Sequence, residues 1–111
     1  METMSQQDLE AMVGSTLVDP GGEKIGKITD VYVDERTKRP EWVAVATGLF
    51  GLKDTFVPLA GVHRSDARGD QFVSHFSKAL VKDAPATEGA LSPAEEDELY
   101  RHYGVSRPAS S

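Results

Sequence analysis

The side chains that could do chemistry in this chain are few and widely spaced. His63, His75 and His102 are its three imidazoles, and histidine is the residue most often recruited for proton transfer or metal ligation near neutrality. No two of them stand four apart, the spacing that lets one helix face hold an ion. His63 and His75 flank the polar stretch Ser65–Asp70, so they meet only if the strands around it pair. Without supporting carboxylates, a structural or solvated pair is the ordinary outcome. Cysteine is absent, which removes disulfides, thiol nucleophiles and thiolate metal sites. No G-x-S-x-G, Walker or dinucleotide fingerprint occurs. The run Gly21-Gly22-Glu23-Lys24-Ile25-Gly26-Lys27 places glycines near lysines, but it enters a strand pattern and lacks the helix N-terminus that cradles phosphate. The carboxylates gather at Asp30, Asp34 and Glu35 and in Glu95-Glu96-Asp97-Glu98, where a solvated face is expected. This inventory points to no enzyme, no cofactor, and no catalytic or metal-binding residue.

The residues that could bind a partner are apolar. Trp42 is the single tryptophan, a residue type enriched at interface hot spots. It either points outward to meet another chain or packs under a C-terminal helix. Leu49 and Phe50, bracketed by Gly48 and Gly51, and then Leu52, read as a loop. Phe50 either plugs an end of the sheet or forms an exposed tip for docking. Pro58 has no N–H to donate, so it must sit at a strand edge, end or bulge, and an edge could accept an added strand. Trp42, Leu49, Phe50, Leu52 and Pro58 are therefore the candidate interaction residues.

The elements that must position them follow from alternation and turn chemistry. Asp8–Met12 has a short helical pattern with Asp8 as cap and Gly14 as stop. Thr16–Val18 is a short strand, and Asp19-Pro20-Gly21-Gly22 a turn in which proline fixes φ and glycine permits the reversal. Ile25–Asp34 and Glu41–Thr47 alternate as two long strands, with Val31 and Val33 on one face of the first and Val43 and Val45 on one face of the second. Ile28 is out of phase with Val31, which predicts a bulge near Thr29-Asp30. Asp54–Leu59, Gly61–Arg64 and Gln71–Phe76 are further strands. So many short strands divided by turns predict a small barrel or strongly bent sheet enclosing Val31, Val33, Val43, Val45 and Val57. Ser77 caps a short helix over Lys78–Lys82. Ser92-Pro93-Ala94-Glu95 is a capping box with proline at the first helical position, opening a helix that Gly104 ends.

With 111 residues the chain fits one domain. Eighteen acidic against 12 basic residues give a net charge of −6, which repels phosphate backbones and argues against nucleic acid as a general partner. The basic residues form no run interleaved with aromatics. No apolar run approaches the roughly 20 residues of a membrane span, and the start METMSQQDLEAM lacks the basic and apolar segments of a signal peptide. A soluble, cytoplasmic protein is expected.

These residues, in this order, resemble a known family. Gly14, Val18-Asp19, Gly22-Glu23-Lys24-Ile25-Gly26-Lys27-Ile28, Val31, Val33-Asp34, Pro40-Glu41-Trp42-Val43-Ala44-Val45 and Val57-Pro58-Leu59 are similar to the PRC-barrel domain. That family includes the cytoplasmic domain of the photosynthetic reaction centre H subunit and the C-terminal domain of a ribosome maturation factor. Asp83-Ala84-Pro85, Leu91-Ser92-Pro93-Ala94-Glu95-Glu96, Tyr100 and Tyr103-Gly104 resemble the tail of the H subunit. The resemblance implies a mainly β fold, a small six-stranded PRC-type β-barrel with short helices and a C-terminal capping helix, in a stand-alone bacterial member. The expected layout is a flexible leader over 1–10, the barrel over 11–85, a linker and helix of the same domain over 86–104, and a disordered tail over 105–111. The implied role is a non-catalytic interaction or assembly module, with a homodimer expected and the partner protein unidentified. The resemblance admits two alternatives. One is a peripheral, H-subunit-like accessory in photosynthetic electron and proton transfer, with peripheral membrane association open although the anchor of that subunit is missing. The other is a ribosome or RNA-processing assembly factor, against which stand the acidic balance and the missing N-terminal barrel.

Overall fold

Apolar alternation between Lys24 and Pro58 builds the centre of the molecule, three long antiparallel strands. The computed structural model describes residues 6–33, 38–47, 53–65, 71–85 and 91–105. Helix α1 (Gln6–Met12) precedes β1 (Thr16–Val18), β2 (Lys24–Val33), β3 (Pro40–Thr47) and β4 (Lys53–Pro58). A 3-10 turn over Leu59–Gly61 leads to β5 (Val62–Arg64), then β6 (Gln71–Ser74), α2 (Lys78–Lys82) and α3 (Pro93–Tyr103). The strands form one sheet in the order β4-β3-β2-β1-β6-β5. All neighbours are antiparallel except β1 and β6, which run parallel. Among the described residues no ladder joins β4 to β5; the 3-10 turn carries the chain between these two ends. The fold is mainly strand with short helices, as expected, but hydrogen bonds do not close the barrel.

Register assigns the faces. β3 pairs Val43 with both Val31 and Val57, and Val45 with both Ile28 and Thr55. Ile28 and Val31 reach one face because the β2 register shifts between Ile28 and Asp30, the bulge that their phase mismatch predicts. Ile28, Val43, Val45 and Val57 are completely buried. Thr47 and Thr55 join them, and their hydroxyls bond each other at 2.9 Å, so neither polar oxygen is left unsatisfied in the core. Val33 departs from the expected interior set. The register slips again between Tyr32 and Val33, setting Val33 against Pro40, and it is 52% exposed. Val31 is half-buried and packs at the core margin.

The connections are held by short polar side chains. Asp19 Oδ1 accepts from the backbone N–H of Gly21 and of Glu23, each at 2.9 Å, and its Oδ2 takes a longer contact from the Lys78 N–H at 3.4 Å. One carboxylate thereby closes the β1–β2 turn and ties it to the start of α2. The Glu23 N–H is the chief reason its acidity is strengthened, so that its pKa lies below the ordinary carboxylate value. Gly22, at φ 89°, takes a conformation that side chains rarely adopt. At the end of β6, Ser74 Oγ accepts from the Phe76 N–H and donates to its carbonyl. This turn ends the strand two residues earlier than alternation suggests. Helix α1 begins at Gln6, so Asp8 lies in its first turn. There Asp8 accepts from Arg64 of β5 at 3.0 Å, an exposed pair worth at most about 1 kcal/mol.

At Gly26 of β2 an added Cβ would press on the Ala46 carbonyl and on Val45 of β3. Backbone cannot move aside as a flexible side chain can. Gly26→Ala is therefore expected to destabilise the fold by about 2–3 kcal/mol, read as a lowered urea midpoint with an unchanged slope.

Candidate functional site

The second face of β3 is aromatic. Trp42 stands between Tyr32 and Pro58, and Ala44 lies opposite Phe56. Trp42, Ala44 and Phe56 are buried as thoroughly as the valines behind them, so β3 is covered on both sides. The cover is α3. Ser92 Oγ accepts from the Glu95 N–H at 3.2 Å, and Glu95 Oε1 accepts from the Ser92 N–H at 2.9 Å. This is the full capping box, with Pro93 just inside it and Gly104 in the left-handed conformation at the far end. A cap of this kind contributes about 1 kcal/mol, enough to define where a helix of eleven residues begins.

Capping fixes rotation as well as start. Glu96, Leu99, Tyr100 and Tyr103 share the inward face and are all buried, following the i, i+3, i+4, i+7 rule for one helical stripe. Trp42 Nε1–H donates to Glu96 Oε2 at 3.1 Å, and the Trp42 and Tyr100 rings lie 4.6 Å apart. Tyr103 donates its hydroxyl to the Phe56 carbonyl on β4 at 2.7 Å and stacks at an angle on Phe76, 4.7 Å away. Tyr32 meets Phe56 edge-on at 5.0 Å. His102 Nε2 lies 2.7 Å from the Leu80 carbonyl of α2. Burial pushes the pKa of the Tyr103 phenol well above its ordinary value, because a phenolate there would lose its water.

These positions decide one expectation that the sequence left open and correct another. Trp42 does not point outward: it is fully buried under α3, with its indole N–H engaged, the second of the two arrangements its position allowed. Glu96 is not part of a solvated acidic face, since only 1% of it is accessible. The sequence signal that could have found it is its place on the same stripe as Leu99 and Tyr103, four residues after the cap. Pro58 ends the edge strand β4 and is buried. Leu49, Phe50 and Leu52 lie outside the described residues, as do Asp34 and Glu35. Asp30 is exposed, its Oδ1 accepting from the Val31 N–H. His63 and His75 do come together on β5 and just beyond β6, with ring centres 5.3 Å apart. Among the described residues no three histidine, aspartate or glutamate side chains gather as for a metal ion. An open depression on α2 is lined by Ser77, Ala79, Leu80, Lys82 and Asp83.

The PRC-barrel domain model matches residues 5–81, a span that runs from α1 through the whole sheet into α2. The chain belongs to the PRC-barrel domain family. No curated protein matches it significantly. The family match stops short of α3, so the helix that covers the aromatic face lies outside the matched residues. PRC-barrel domains are small, generally non-catalytic modules, and the polar groups on this face are bonded to one another. No helix among the described residues is long and apolar enough to cross a membrane.

Trp42→Phe keeps an aromatic ring but removes the donor that faces a buried carboxyl group and leaves the site smaller than the indole filled. It is expected to cost about 1–3 kcal/mol, measured by denaturant unfolding followed by circular dichroism. A second expectation concerns pH. The folded state holds Tyr103 protonated beyond the ordinary phenol value of 10.0, so its contribution is complete below pH 10 and is lost as pH rises above that value. Asp19, shifted the other way from 3.8, contributes above that value and loses its contribution as acid is added through its lower folded value. Thermal midpoints measured across pH should fall at both ends. Tyr103→Phe should flatten the alkaline fall and Asp19→Asn the acid one.

Proposed function

We propose that this PRC-barrel protein is a non-catalytic interaction module that assembles as a homodimer and docks a partner protein. The observation that supports the reading best is the family match, to a class of small modules without chemistry of their own. The interior polar groups agree with it: Trp42, Glu96, Tyr103, Thr47 and Thr55 are engaged in holding helix to sheet and strand to strand. With Trp42 buried, the contact is assigned to Leu49, Phe50 and Leu52, the apolar residues between β3 and β4. Pro58 then acts as the stop of the neighbouring edge strand rather than as a contact. Binding energy concentrated in a few large apolar side chains is the usual pattern of protein interfaces.

Size-exclusion chromatography with light scattering tests the assembly. The full chain should elute as a dimer, and Phe50→Ser should weaken self-association about tenfold or more while leaving the circular dichroism spectrum and melting temperature unchanged. A wild-type chain that stays monomeric at high concentration would overturn the homodimer.

A further inference from the structure

We propose that His63 and His75 form a two-histidine site for a tetrahedral divalent ion, best represented by zinc. His63 lies on β5 opposite Val73 of β6. The His75 N–H donates to the Gly61 carbonyl at 2.7 Å, which extends the same ladder by one step. His63 and His75 are thus diagonal neighbours, and alternation turns both side chains to one face. Both are exposed, and among the described residues neither ring hydrogen-bonds another group, whereas His102 is held by the Leu80 carbonyl. Arg64, the next residue, sits over Phe72 and pairs with Asp8, so alternation keeps its charge on the opposite face.

The separation of the rings fits a tetrahedral ion. A histidine nitrogen binds zinc at about 2.0–2.1 Å along its lone pair, which puts each ring centre about 3.2 Å from the metal, so a tetrahedral angle separates two such centres by about 5.2 Å. The observed distance is 5.3 Å. A right angle between the ligands, as in square-planar copper, would require about 4.5 Å. The rings are inclined at 54°, and exposed imidazoles can turn about the outer side-chain torsion to aim their lone pairs at a common point. With two protein ligands, two positions stay open to water, as in sites that exchange their ion.

Isothermal titration of the full chain with zinc chloride in a non-coordinating buffer tests the assignment. One equivalent should bind. His63→Ala and His75→Ala should each weaken binding about tenfold or more, while His102→Gln should leave it unchanged. Both substituted residues are exposed, and an unaltered circular dichroism spectrum confirms that the variants fold. In a parallel nuclear magnetic resonance titration, the ring signals of His63 and His75 should move and those of His102 should not. Wild-type affinity in either alanine variant, or no binding at millimolar zinc, overturns the site.

Discussion

A carboxyl group meeting an indole in the absence of water is the constraint on which the arrangement of helix and sheet depends. Glu96 and Trp42 are both essentially inaccessible, and their hydrogen bond at 3.1 Å spans 54 positions of sequence. Burying a carboxyl group is costly unless it is bonded, and the cost falls on every placement of α3 that fails to bring it to a donor. Apolar contact alone would let the helix slide or roll, because Leu99 and Tyr100 could pack on the sheet in several ways. The bond to the indole, with the Tyr103 hydroxyl on the Phe56 carbonyl two helical turns further on, selects a single placement. The helix macrodipole assists, since Glu96 lies in the first turn, where negative charge is favoured.

β3 is where the two halves of the core meet. Its valine face is assembled inside the sheet by β2 and β4, and its aromatic face is covered from outside by α3. The first depends on the bulge that brings Ile28 into phase with Val31, the second on a helix beyond the residues that define the family. A sheet whose hydrogen bonds leave β4 and β5 as ends needs other devices to avoid pairing with foreign strands. On β4 those devices are the terminal Pro58 and the bond that Tyr103 makes to Phe56; on β5 the strand is only three residues long and ends in Arg64.

Much of this was legible in the sequence because it is local. Strand phase, the bulge, the Asp19 turn, the Ser77 and Ser92 caps and the Gly104 stop all follow from residues within a few positions of one another. The placements of Trp42 and Glu96 concern contacts between distant segments. Strand alternation assigned Trp42 to the face opposite the valines, but it could not say that a helix fifty residues later would lie on that face. Glu96 was lost in a run of four acids, from which its angle around the helix sets it apart. Val33 was misplaced by a second slip in register that no turn residue announces. The site expectations divided in the same way: the His63–His75 neighbourhood followed from reading one hairpin, whereas Trp42 required the tertiary packing.

The distribution of polar groups bears on what the molecule can do. An interior that used unsatisfied donors or acceptors would be a candidate for binding or catalysis. Among the described residues the interior polar side chains bond one another or the backbone, so none of them offers an unsatisfied group for such a role. The net charge of −6 sets a field that disfavours polyanions near this surface.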